Sequence, residues 1–164
     1  MVKFALPLVA LALATSVAAA PQGTSKTTFS FEQWVEDIIA NPDTALTVDE
    51  AIAAAQAADV VGSAGGLQKR GRDAAACVDD LARKGRNGVV CTIGQNVFDI
   101  QMCRIGGARI VGSKSNPSQQ SANCNDVART AGIVFDNCWR SDDTIVGSEI
   151  CVTNNQMQIN VLGI

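Results

Sequence analysis

The sequence predicts a small α+β fold, in which antiparallel strands and one or two helices form a sandwich that disulfides hold together. The chain has six cysteines and none of them precedes residue 77; they are Cys77, Cys91, Cys103, Cys124, Cys138 and Cys151. Short segments of alternating polarity, which are typical of strands, surround one clear helical repeat in the same part of the chain. An even number of cysteines in a short segment indicates a disulfide framework.

The first residues are typical of a secretory signal peptide. Lys3 supplies a positive charge, an apolar run spans residues 6–14, and small residues follow up to residue 20. We expect cleavage after Ala19, because a cut after Ala20 would place a proline beside the scissile bond. The apolar run is shorter than the roughly 20 residues that cross a bilayer. Residues 1–19 are therefore predicted to direct secretion, and no stable membrane anchor is expected.

Residues 20–70 have the composition of an acidic pro-segment. They lack cysteine, and their seven acidic and three basic residues give a net charge of −4. Capping-box patterns at residues 30–33 and 47–50 predict two short helices, of which the second is rich in alanine. In the first helix, Trp34, Ile38 and Ile39 would lie on one face.

A dibasic pair, Lys69-Arg70, ends this segment directly after a glycine-rich stretch. It is similar to the sites cut by kexin-type processing proteases, which bind an extended, accessible backbone. A solvated charge pair is the alternative. Charge, glycine content and cysteine use all change at this point, so we expect cleavage after Arg70 and a mature domain of residues 71–164.

The mature domain, residues 71–164, is predicted to contain a helix, three strands, a second helix and a hairpin, in this order. A first helix is predicted from Asp73 to Gly85, strands at residues 88–93, 96–104 and 108–112, and a loop at 113–121. A helix follows from Cys124 to Cys138, with Asn123 as N-cap and apolar residues at spacings of 4, 3, 4 and 3. The final hairpin is predicted at 149–153 and 156–162, with its turn at residues 154–155.

The second helix restricts the disulfide pairing. Its ends, Cys124 and Cys138, are expected to lie about 21 Å apart, whereas bridged Cα atoms lie within roughly 7 Å. A bridge between them is therefore excluded, and the other pairings stay open. Each end of the helix is expected to be clipped to a strand or to the first helix, and Cys103 and Cys151 are the natural partners on strands. Zinc is disfavoured because the cysteine spacings are long and the chain has no histidine.

The sequence offers no catalytic, cofactor-binding or metal-binding residue. Without histidine, a Ser-His-Asp or Cys-His site is impossible, and oxidised cysteines are not nucleophiles. The carboxylate pairs Asp79-Asp80 and Asp142-Asp143 are interpreted as solvated surface charge rather than a glycosidase pair. Trp139 is interpreted as a core residue. Residues 71–164 carry nine basic and nine acidic residues, and no nucleic-acid partner is expected.

The signal that ends at Ala19-Ala20-Pro21, the acidic segment, Lys69-Arg70 and the six-cysteine domain together resemble small cysteine-rich secreted proteins of filamentous fungi. The element order over residues 91–162 also resembles killer-toxin-like and secreted-effector sandwiches. The resemblance implies a non-enzymatic effector or toxin that acts on a host or a competing microbe, with an unidentified target. The alternatives are an extracellular module that binds or inhibits proteases or binds glycans, and a small hydrolase.

Overall fold

A computed structural model describes residues 29–58 and 69–163. The predicted signal peptide, including Ala19, lies outside these ranges. The helices are α1 (Phe31–Ala40), α2 (Val48–Ala57), α3 (Lys69–Arg86) and α4 (Cys124–Cys138). The strands are β1 (Val90–Ile93), β2 (Asp99–Ile105), β3 (Ala108–Ser113), β4 (Gln120–Asn123), β5 (Ile145–Cys151) and β6 (Asn154–Gly163).

The strands form two antiparallel sheets, which confirms the predicted α+β class. Four strands lie in the order β2-β3-β6-β5, and β1 pairs with β4 in a separate two-stranded sheet. In the larger sheet, Ile110 lies opposite Val161, and both side chains are buried. Gln158 and Asn160 alternate with the buried residues of β6 and point to the other face. The helices cover the apolar face of this sheet.

Helix α4 has the predicted bounds and the predicted buried stripe. The Asn123 side chain accepts a hydrogen bond from the Asn125 N–H, as an N-cap does. Ala128, Ala131 and Phe135 are buried, and α4 packs against α3 and β5. The cost of a glycine in the interior of a helix is offset by close packing. Gly132 is buried against the first turn of α1, where a Cβ would meet the Glu32 backbone N at 2.9 Å.

Helices α1 and α2 begin where the capping patterns predict, and they belong to the same core as the cysteine-bearing part. Ser30 accepts from the Gln33 N–H, and Thr47 forms a reciprocal capping box with Glu50. The buried residues of the two helices are Phe31, Trp34, Val35, Ile38, Ala51, Ile52 and Ala55, and they share one apolar cluster with α3, α4 and the sheets. Residues 29–58 are thus not a separate structural unit.

Several element boundaries differ from the predictions, among them those of β2 and β5, which begin at Asp99 and Ile145 rather than at residues 96 and 149. Strand β4 lies partly in the predicted loop, because its backbone pairs with β1 although its side chains are mostly polar. The last hairpin turns at residues 152–153 rather than 154–155, since Cys151 pairs with Asn154. Helix α3 begins at Lys69 rather than Asp73, because the Asp143 carboxylate, distant in sequence, accepts hydrogen bonds from N–H groups of its first turn.

Two disulfides are formed, Cys77–Cys103 and Cys91–Cys124. The first clips α3 to β2 and the second clips β1 to the start of α4. The start of α4 is thus clipped to a strand, as expected, but through Cys91 and not through Cys103 or Cys151, the strand partners suggested by the sequence; Cys103 pairs with Cys77 of α3.

Cys138 and Cys151, which were predicted to be bridged, are free thiols, and this corrects the expectation of three bridges. The Cys138 sulfur lies against Gly147 of β5. Gly147 is four residues from Cys151, about 13 Å along the strand, and bridged Cα atoms must lie within roughly 7 Å. The two sulfurs are at opposite ends of the contact between α4 and β5.

Candidate recognition surface and processing site

An apolar groove of about 240 Å³ lies between the two sheets; we call it the intersheet groove. Its lining residues are Leu81, Lys84, Val89, Val90, Cys91, Thr92, Ile100, Gln101, Met102 and Cys124. The buried Cys91–Cys124 bridge lies among them, so a covalent bond holds one wall of the groove in place.

The intersheet groove runs along strand edges. Consecutive residues of β1, and consecutive residues of β2, border it. Because neighbouring residues of a strand point to opposite faces, a run of them along a groove indicates an edge rather than a face. Strand β1 pairs with β4 alone and β2 with β3 alone. Each of the two strands therefore has one edge free of sheet pairing within the described residues.

Large apolar side chains are exposed beside this groove. Of the lining residues, Val90 is 56% exposed, and Val89 and Ile100 are exposed to a lesser degree. Val97 and Phe98, which directly precede β2, are exposed as well. Lys84, at the rim, forms an ion pair with Asp80 one helical turn before it. A cluster of exposed apolar residues that surrounds a groove is typical of a surface that binds another molecule.

A second groove, of about 280 Å³, is lined mostly by polar residues; we call it the Lys114 groove. Its lining residues are Ser113, Lys114, Ser115, Ile150, Asn155, Gln156 and Gln158, and none of these is acidic. Lys114 is only 7% exposed, and its Nζ donates to the Ser118 carbonyl. Side-chain amides hold the adjoining loop, since Asn116 and Gln120 both donate to the Gln156 Oε1.

The predicted processing site lies in the first turn of α3, not in an extended segment. Lys69 and Arg70 are exposed, but Gly71 is buried. The Arg70 N–H donates to Asp143 Oδ2 at 2.9 Å, and the Gly71 N–H donates to Asp143 Oδ1 at 3.2 Å. The first N–H groups of a helix have no partner within the helix, and here a carboxylate from the α4–β5 connection satisfies them.

Asp143 is the functional candidate that sequence reasoning missed. The structure bears out a surface charge for Asp142, whose carboxylate is exposed and accepts from the backbone and hydroxyl of Thr144. These bonds lower the pKa of Asp142. Asp143 instead is only 5% exposed, and it adopts a positive φ of 64° in the turn. Two of its three donors, the Arg70 and Gly71 N–H groups, are more than 70 residues away in sequence, so no local pattern marks this contact.

The remaining predicted candidates act structurally. Asp79 and Asp80 form ion pairs with Arg83 and Lys84 one helical turn further along α3, and the side chains are partly exposed. Trp139 is buried against Phe31 and Phe135, as predicted for a core residue.

An ionic contact joins α1 to α4. The Arg129 guanidinium binds both carboxylate oxygens of Glu36 and also Asp126. The hydrogen bond from Arg129 lowers the pKa of Glu36, and the two carboxylates raise the pKa of Arg129. The Asp136 carboxylate accepts hydrogen bonds from Ser30 Oγ and from the Phe31 and Glu32 N–H groups. The start of α1 is thus held by α4 through a carboxylate at a helix N-terminus.

The residues that the structure describes contain no cluster of metal-ligating side chains. Within the same ranges, the helices are too short or too polar to span a bilayer.

Comparison with known proteins gives one match. The model of a family described as a domain of unknown function, DUF8794, matches residues 55–163. This range is about two thirds of the chain, and it contains both disulfides, both grooves and Asp143, whereas α1 lies before it. No curated protein and no solved structure matches the chain.

Proposed function

Because the chain belongs to the DUF8794 family, whose description assigns no activity, we propose its function from its own residues: it is a secreted, non-enzymatic recognition protein. It acts as an effector or toxin-like protein on a host or a competing organism. The partner is a protein, which contributes an extended segment to the intersheet groove. The exposed apolar residues around two free strand edges are the observation that carries this proposal.

The groove suits an extended peptide for two reasons. A free strand edge presents unpaired N–H and C=O groups, which the backbone of an added strand can satisfy. Val90 and Ile100 line the groove and offer apolar contacts to side chains of such a segment. The disulfides keep both walls in place before binding, and a preorganised site loses less conformational entropy when it binds.

Secretion and maturation are part of the same proposal. The signal peptide is removed after Ala19, and a kexin-type protease cuts after Arg70. The two disulfides support an oxidising, extracellular environment. The absence of histidine from the sequence supports a function without Ser-His or Cys-His catalysis.

The test uses one substitution at the groove and a matched control. Val90→Lys places a charge at the groove, and Val146→Lys makes the same change at an exposed valine of the opposite edge strand, β5. The oxidised proteins are applied to plant tissue and to competing fungi, and cell death and growth are measured. We expect Val90→Lys to require about tenfold more protein for the same response, because a buried charge disrupts an apolar contact. Equal activity of the two variants, or no response to the unmodified protein, would contradict the proposal.

The Lys114 groove favours a second function, the binding of a glycan that carries carboxylates. A lysine side chain that is largely buried gains from an anionic partner, and the groove adds amide and hydroxyl groups that can bind sugar hydroxyls. Titration with an oligogalacturonide distinguishes this function from peptide recognition. Binding that is lost in Lys114→Met and kept in Val90→Lys would assign the activity to this groove.

A further inference from the structure

We propose that cleavage after Arg70 creates an amino-terminal ammonium at Gly71, and that Asp143 binds this ammonium as a buried ion pair. The inference rests on the maturation proposed above. Asp143 would then be the receptor for the new chain end, and the cut would change the charge balance of the core.

The carboxylate of Asp143 is already in place. Its three donors in the uncut chain are the backbone N–H groups of Arg70 and Gly71 and the Trp139 Nε1, which lies 3.1 Å from Oδ1. All three donors are neutral. Among the described residues, no lysine or arginine forms an ion pair with Asp143. A buried carboxylate is costly unless charge or hydrogen bonds compensate it, and a cation at one of these donor positions would compensate it better.

Gly71 is shaped for the contact. A Cβ at this position would lie 2.5 Å from Trp139 Cζ2 and 2.7 Å from Asp143 Oδ1, so a larger residue does not fit. The missing side chain allows the Gly71 nitrogen to approach the carboxylate. The same nitrogen would carry the positive charge after cleavage, and therefore no large movement is needed to form the ion pair.

The cleavage step is an ordinary hydrolysis. Water adds its oxygen to the Arg70 carbonyl carbon, the C–N bond to Gly71 breaks, and both protons of the water pass to the nitrogen. Arg70 ends in a carboxylate and Gly71 in an ammonium. The protease must act while the first turn of α3 is unwound, since it binds extended backbone. The new Arg70 carboxylate is repelled by Asp143, so residues 69–70 leave the helix.

Helix α3 tolerates this loss. The bond lies in its first turn, where N–H groups make no hydrogen bonds within the helix. Shortening the helix to Gly71 removes only the carbonyls of Lys69 and Arg70 as acceptors. The Cys77–Cys103 bridge still fixes the helix to β2.

The test compares cut and uncut chains with and without the Asp143 charge. Asp143→Asn keeps the shape and one acceptor oxygen, which can still serve the Gly71 N–H and Trp139 Nε1, and it removes the charge and the acceptor of the Arg70 N–H. The full chain is cut by a kexin-type protease, and in a second version by factor Xa after residues 67–70 are replaced with Ile-Glu-Gly-Arg, which also leaves Gly71 first. Unfolding equilibria in urea are measured for all forms.

We expect Asp143→Asn to lower the folding equilibrium constant of the cut chain by about tenfold more than that of the uncut chain, since only the cut chain loses an ion pair. Equal losses in the two forms would overturn the ion pair. A secreted product that keeps the Arg70–Gly71 bond would overturn the maturation instead, and the chain cut by factor Xa would still report on the ion pair.

A second readout covers the case in which Asp143→Asn fails to fold. Reductive methylation of the Gly71 amine in the cut wild-type chain is followed with and without urea. An ammonium held by Asp143 should react about tenfold more slowly in the folded chain. A rate that urea does not change would overturn the proposal.

Discussion

Truncation of Phe31 tests whether the segment before the dibasic pair is part of the core. Phe31 is fully buried, and its ring lies 4.5 Å from that of Phe135 and 5.5 Å from that of Trp139, measured between centroids. A buried Phe→Ala substitution costs about 3–5 kcal/mol of unfolding free energy, because apolar contacts are lost and a cavity remains. We expect Phe31→Ala to destabilise the whole chain by this amount.

The assay is urea unfolding of the full oxidised chain, followed by the fluorescence of Trp34 and Trp139. Gln33→Ala, an exposed residue of the same helix, is the control and should cost less than about 1 kcal/mol. A loss of less than about 1 kcal/mol for Phe31→Ala would refute the reasoning, and so would an early transition confined to one tryptophan. The same contact predicts that residues 20–70 stay bound after a cut at Arg70, and that Phe31→Ala promotes their release.

Three further predictions concern sulfur and charge. Cys77→Ser, which opens the bridge between α3 and β2, should lower the unfolding free energy by about 3.5 kcal/mol for the 26-residue separation it closes, as urea unfolding would show. The pKa of Glu36 is lowered in the folded protein, so its charge stabilises the fold above its ordinary pKa of 4.5, and this stabilisation is lost as pH falls through the folded value. Glu36→Gln should remove this pH-dependent contribution to the unfolding free energy. Because this pair is partly exposed, the difference in a pH series of melting temperatures should correspond to less than about 1 kcal/mol. Thiol titration should find one reactive group, Cys138, in the folded protein and a second, Cys151, only after unfolding; no thiol at all would contradict the two-bridge structure.

Elements specified by neighbouring residues were predictable from the sequence. The bounds of α4 follow from its N-cap and its apolar spacing, and both early helices begin at their predicted N-caps, Ser30 and Thr47. These signals lie within one or two helical turns and need no knowledge of the rest of the fold. The exclusion of a bridge between Cys124 and Cys138 used the same local geometry.

Elements specified by distant contacts were not predictable. Strand β4 has a polar sequence and exists because β1 pairs with it. The start of α3 depends on Asp143, and the free thiols depend on the register of β5 against α4. The clearest case is Asp143 itself, which sequence reasoning grouped with its exposed neighbour Asp142. Only the fold places its carboxylate against the nitrogen of Gly71.

The mass of the secreted protein, measured under native and then denaturing conditions, tests most directly whether this is a secreted protein matured at Arg70. We expect one native species that separates on denaturation into residues 20–70 and residues 71–164. The second chain should be lighter than its reduced form by about 2 Da for each of two bridges. A single chain that begins at Ala20, or one retained in the cell with the signal peptide attached, would contradict the account.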